Sequence, residues 1–312
     1  MNRERVTKGS MKYISACIFC CVLLVFCLSN GNVYAKSKKR DVEKIKVFVS
    51  ILPQAYFVER VGGNRVNVSV MVGSGQSPAT YEPVPRQMVE LGGAEFFFCI
   101  GVPFENVWME RISKVNPEMK VVDTRRGINL LPMKTGNRKT SDRHAVNNMV
   151  GFKDPHIWMS LRLVKIQAQN ICEALIKQDP ANKDYYQNNL RAFIDDLADL
   201  DAEIIKSLEG IRERKFMVFH PAWGYFARDY GLDQIPVEIG GKDPGARELA
   251  NLIEKAKKDG IKIIFVQKQF SEKSAEALAD AIGGKIISID PLAKDYLNNI
   301  KMIAETFCRV MQ

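Results

Sequence analysis

The chain has 312 residues, 46% hydrophobic and 26% charged, which is the balance of a globular protein with room for two modest domains and argues against disorder. Its formal charge of +9 falls to about +6 without residues 1–35, where Arg3, Arg5, Lys8 and Lys12 face only Glu4. The remaining basic stretches, 36–40 and 134–143, lack interleaved aromatics, so they read as solvated linker and loop and not as a nucleic-acid groove. The N-terminal basic residues precede an apolar run from Tyr13 to Leu28, then small and polar residues up to Val33-Tyr34-Ala35. That is the build of a secretory signal cleaved near Ala35; the run is short for a membrane anchor. Export follows as an expectation. Four of the seven cysteines lie in this leader, leaving Cys99, Cys172 and Cys308. Cysteine is therefore not the scaffold, and nothing in the sequence selects a disulfide pair among the three.

Beyond the leader, short β-rich runs alternate with helical patterns. Strands are expected at 46–51, 66–72, 95–100 and 120–122, with helices at 55–61, 85–91 and 105–115 between them. From Ser160 a helical period persists to Leu208, broken only at Asp179-Pro180, with Ala192, Ile194, Leu197, Leu200, Ile204 and Leu208 at helical spacing. A helix of this kind can bridge two lobes. Strands then resume at 216–219, 236–239, 261–266 and 286–289, with helices at 246–258 and 273–282 and a closing helix. The predicted fold class is α/β: two lobes with mostly parallel sheets joined by one long bridging helix. The divisions are a signal peptide at 1–35, an N-terminal lobe at 36–180, a bridging helix at 181–209 and a C-terminal lobe at 210–312.

Ligands of open parallel sheets bind outside the carboxyl ends of the strands. The strand at 216–219 runs straight into His220, and the strand at 286–289 straight into Asp290, two metal-ligand side chains at the ends of what read as neighbouring strands. His156 precedes the long helical region. Only three histidines occur in the chain, so two at such positions point to a metal held in the interlobe cleft by neutral imidazoles and a carboxylate. Each has a bland alternative, a hydrogen-bonded structural His or an Asp that caps a turn.

The segments Ser77-Pro78-Ala79-Thr80-Tyr81-Glu82-Pro83, Asp154-Pro155-His156-Ile157-Trp158, His220-Pro221-Ala222-Trp223-Gly224-Tyr225-Phe226 and Ile289-Asp290-Pro291-Leu292-Ala293 resemble the signatures of the zinc- and manganese-binding solute-binding proteins of ABC transporters. The resemblance runs from about Lys46 to Gln312. It implies a cleft metal site with ligands His156, His220 and Asp290, a membrane permease of an ABC importer as partner, an extracytoplasmic or cell-surface monomer, and no enzymatic activity. His220 resembles the zinc-type relatives, where manganese-type ones tend to carry Glu, so zinc is the expected ion and manganese or iron the alternatives. One position departs: where the resemblance places a first-lobe ligand His, this chain has Ala79. Water can complete a three-ligand zinc site. Glu82 in the same loop and His144 in the basic loop are the candidate replacements. Two other readings stay open. A member that has given up metal for another ligand, or for an adhesin-like surface role, fits the loss at Ala79. A metallohydrolase is disfavoured, since there is no helix-borne His-Glu-x-x-His and no motif-placed general base.

Overall fold

The computed structural model describes residues 43–134, 153–270 and 273–311. The leader and His144 lie outside these.

The first half builds a sheet from β1 (Ile45–Ile51), β2 (Val66–Val72), β3 (Phe96–Cys99) and β4 (Lys120–Asp123), all parallel in the order β2-β1-β3-β4. All four residues of β3 are buried, as expected of an inner strand covered on both faces. Helices α1 (Leu52–Gly62), α2 (Pro85–Leu91) and α3 (Pro103–Val115) connect the strands. Each has Pro at its first or second position, where the missing N–H costs nothing and the ring presets φ.

Two helices follow. α4 (Leu161–Gln178) is capped by Ser160, whose hydroxyl accepts from the Leu163 N–H at 3.2 Å. It ends at Asp179, whose carboxylate accepts from Asn182 and, at 2.8 Å, from the Tyr186 hydroxyl, pinning the turn. α5 (Lys183–Leu208) then runs for 26 residues, about 39 Å at helical rise. Its buried face, Tyr186, Phe193, Leu197, Leu200, Ile204 and Leu208, keeps the helical period. α5 packs on α1 and α4 at one end and on the last helix, α9 (Tyr296–Val310), at the other. It is the long bridging helix anticipated from the sequence.

The second sheet comprises β5 (Lys215–Val218), β6 (Asp233–Pro236), β7 (Ile263–Gln267) and β8 (Lys285–Ile289), parallel in the order β6-β5-β7-β8. It repeats the topology of the first. Helices α6 (Gly224–Tyr230), α7 (Ala246–Lys258) and α8 (Lys273–Ile282) connect its strands. Strand alternation divides its core. Phe216 and Val218 face the large core shared with the first half, whereas Met217 and Phe219 join a smaller cluster with Ala256 of α7 and Leu278 of α8.

Three details differ from the sequence reading. The strand expected at 236–239 lies at Asp233–Pro236, because α6 ends on Gly231 in the left-handed conformation and pairing starts at once, with the Asp233 N–H donating to the Arg214 carbonyl at 2.7 Å. Helix α6 was not read from its aromatic-rich sequence. β5 and β8 are not neighbours, since β7 lies between them. Cys99, Cys172 and Cys308 are free thiols. Among the described residues, no helix is long and apolar enough to cross a membrane.

The α9 ring of Phe307 contacts Phe216, Phe265, Trp223 and Phe226, with centroids 4.5–6.0 Å apart. Phe307→Ala is expected to cost about 3–5 kcal/mol of unfolding free energy, the usual penalty for emptying a packed aromatic site, as measured by urea denaturation.

Candidate functional site

In each sheet the order places a topological switch point between the first strand and the third, where the strand order reverses and loops part. The carboxyl ends of both sheets border one cavity of about 560 Å³. The first sheet contributes Ala79 after β2, Gly101 after β3 and Arg125 after β4. The second contributes His220 after β5, Glu238 after β6, Phe270 after β7 and Pro291 after β8. His156 enters from the loop ahead of α4.

His220 is held on every side. The Gln267 side chain, wholly buried at the end of β7, accepts from the His220 N–H at 3.1 Å and donates to its carbonyl at 2.5 Å. The imidazole stacks on Phe270, centroids 4.9 Å apart and planes at 18°, and its Nδ1 lies 2.9 Å from the buried Glu238 carboxylate. His156 is fixed in the same manner. Asp154, 2% exposed, accepts from the His156 N–H at 2.9 Å and meets its Nδ1 at 2.7 Å. Gly224 opens α6 against this carboxylate: a Cβ there would come within 2.7 Å of Asp154 Oδ2. The surrounding loop is stitched to the second half of the chain. The Tyr225 hydroxyl donates to the Asp154 carbonyl, the Trp158 indole to Pro291 and the Tyr296 hydroxyl to Trp158, at 2.8, 2.8 and 2.6 Å.

A carboxylate at Nδ1 favours the tautomer with its proton there and leaves Nε2 as a bare lone pair. Both Nε2 atoms point at each other, 3.2 Å apart. Burial, followed by proximity to His156, depresses the pKa of His220 below its ordinary 6.5, against the pull of Glu238. Two ring nitrogens this close are bridged by a proton or by a cation between them. Two nitrogens bound at about 2.0–2.1 Å to one tetrahedral zinc would stand about 3.3–3.4 Å apart, so the donors fit such an ion.

The other expected ligands are placed differently. Asp290 follows β8, but its Oδ1 accepts from the Leu292 N–H at 2.9 Å and from Gln269 at 3.2 Å, and the cavity wall at that end is Pro291 and Leu292. Among the described residues no three His, Cys, Asp or Glu side chains gather in a metal-holding arrangement. Ala79 lines the cavity, whereas Glu82 is exposed and outside its lining. Sequence reasoning missed Asp154, Glu238, Gln267 and Arg125. Asp154 stood inside a quoted motif. Glu238 was concealed in the strand expected at 236–239; with β6 ending at Pro236, it falls beyond the strand's carboxyl end, where site residues belong.

Residues 47–310 match the family described as zinc-uptake complex component A, periplasmic (ZnuA). The chain is 28% identical over 272 residues to the high-affinity zinc uptake system protein ZnuA of Bacillus subtilis (strain 168), covering 86% of this chain and 84% of that one. It is 27% identical over 288 residues to the zinc-binding lipoprotein AdcA of Streptococcus pneumoniae (strain ATCC BAA-255 / R6), covering 90% of this chain but only 56% of AdcA. A crystal structure of ZnuA superposes with a TM-score of 0.80 at 42% identity, covering 86% of this chain and 100% of that one. A ZnuA deletion mutant with zinc bound gives 0.79 at 42% identity, covering 86% and 99%.

His220 is expected to stay neutral to below pH 6.5. Its folded pKa lies under the unfolded value, so its contribution to stability is complete above about 6.5 and is lost as pH falls through the folded pKa. Glu238→Gln removes a group that raises that pKa and should lower it further. Histidine NMR titration checks both, and a rise in the variant would contradict the assignment.

Proposed function

The chain belongs to the periplasmic zinc-uptake component A family, metal-binding solute-binding proteins of ABC transporters and not enzymes, and from that premise we propose that it captures zinc outside the cytoplasmic membrane and hands it to the permease of an importer. The leader at 1–35 directs export, with cleavage near Ala35. The lobes at 36–180 and 210–312 face each other across the cleft, and 181–209 bridges them. The protein acts as a monomer.

The observation that carries this reading is the pair of opposed Nε2 atoms, 3.2 Å apart, each with its Nδ1 turned to a buried carboxylate. An arriving ion exchanges water for the two imidazoles. Asp290 supplies the third ligand once its carboxylate leaves the Leu292 N–H, a movement of one loop after β8. Ala79 leaves a fourth position without a protein donor. Two nitrogen donors favour zinc over manganese, which prefers oxygen. Iron is the remaining competitor. Release is a matter for the permease, which must part the lobes enough to separate the imidazoles.

Isothermal titration of the metal-stripped protein should give saturable one-to-one zinc binding, weaker binding of manganese, and loss of both in His220→Ala. A site loaded at about one hundred times Kd should add about 2.7 kcal/mol of stability, visible as a rise in Tm that the variant lacks. Absence of zinc binding to the unsubstituted protein would overturn the reading. Affinity should be flat above about pH 6.5 on account of His220 and should weaken as pH falls below its depressed pKa.

A further inference from the structure

β7 lies between the strands that run into His220 and Asp290, and the turn that follows it touches both residues. The Phe270 N–H donates to the Gln267 carbonyl at 3.0 Å, which closes that turn. Gln267 holds the backbone of His220, and Phe270 stacks on its imidazole. Gln269 serves the other side. It lines the cavity, and its side-chain amide donates to Asp290 Oδ1 at 3.2 Å.

The Asp290 carboxylate is thus held by two donors on one oxygen, the Gln269 amide and, at 2.9 Å, the Leu292 N–H. The carbonyls of Asp290 and Pro291 are occupied separately, by the Asn299 side chain at 2.7 Å and the Trp158 indole at 2.8 Å. So held, Asp290 stays off the cavity wall on which Gln269 and the two imidazoles stand. A hydrogen bond to an ionised carboxylate is among the stronger ones, and here it competes with an ion for the same group. A ligand whose binding-competent form is only a fraction of the protein is bound more weakly by that fraction.

Resting on the metal-capture reading above, we propose that Gln269 is a positioning residue that latches Asp290 away from the ion and so sets the affinity for zinc. The ion meets the two imidazoles first, and Asp290 joins when its carboxylate leaves Gln269 and Leu292. The latch withholds part of the affinity, which favours release of a cargo that is only carried.

The test is zinc titration of the metal-stripped protein at buffered free zinc, with Gln269→Leu, Asp290→Ala and the two combined. Gln269→Leu is expected to bind zinc about tenfold more tightly, Asp290→Ala more weakly, and the double variant no more tightly than Asp290→Ala. Gln269→Met, which keeps the length of the side chain, should repeat the gain. A gain that requires Asp290 is not what loss of a merely structural residue produces. NMR gives a second readout. The Gln269 side-chain amide signals, identified by their absence in Gln269→Leu, should shift in metal-free Asp290→Ala and, in the unsubstituted protein, on adding zinc. Unchanged or weaker zinc binding in both Gln269 variants, a gain that survives Asp290→Ala, or undiminished zinc binding by Asp290→Ala would overturn the proposal. So would amide signals that zinc leaves in place. Failure of the unsubstituted protein to bind zinc would instead overturn the metal-capture reading, and this inference with it.

Discussion

Two imidazoles bring their Nε2 atoms within 3.2 Å of each other, a separation that a shared proton or a cation can bridge. Each ring is kept there by a carboxylate at Nδ1, by backbone bonds at its base and, for His220, by a stacked aromatic. Such satisfied polar networks are stiff because any departure leaves a buried group unpaired. In the proposed role, the two ring nitrogens are thus held in place before a cation arrives. The two imidazoles need little rearrangement, whereas Asp290 must leave the Leu292 N–H.

That contact depends on architecture far from it. Both sheets run in the same strand order, so the switch point of each opens toward its carboxyl ends and the loops of both reach one cavity. The helices α4, α5 and α9 tie the sheets into one large core. Bonds from Tyr225, Trp158 and Tyr296 then fasten the His156 loop to the second half of the chain. The position of His156 relative to His220 is set by these links as well as by the bridging helix.

The fold was largely legible because its signals are local. β2, α2, α7 and α8 have the bounds their periodicity predicts, since each is flanked by residues that end it. The expectation at 236–239 failed where an apolar run extends past the paired segment: Val237 and Ile239 are buried like strand residues although β6 ends at Pro236. That error concealed Glu238. The two site histidines were legible from scarcity and position. The carboxylate partner of His220 was not, because a side chain that meets another 18 residues away leaves no periodic trace, whereas Asp154 stood two residues from His156 without its role being read. Asp290 shows the opposite limit: its position after β8 was readable, but its bond to the Leu292 N–H depends on loop conformation.

The loop after β2 has a further consequence. Ala79 is exposed, and its short turn is held by its own atoms, with Ala79 N–H donating to Ser77 Oγ and Thr80 N–H to the Ser77 carbonyl. Its links to the core run through its neighbours, with the Phe104 N–H donating to the Pro78 carbonyl at 3.1 Å and Tyr81 packed on the Phe104 ring. Under the proposed function, replacing the exposed side chain at 79 alters what the cleft selects with little cost to folding, so inheritance can retune cargo preference here. At His156 or His220, knitted into buried networks, the same experiment of nature would endanger the molecule itself.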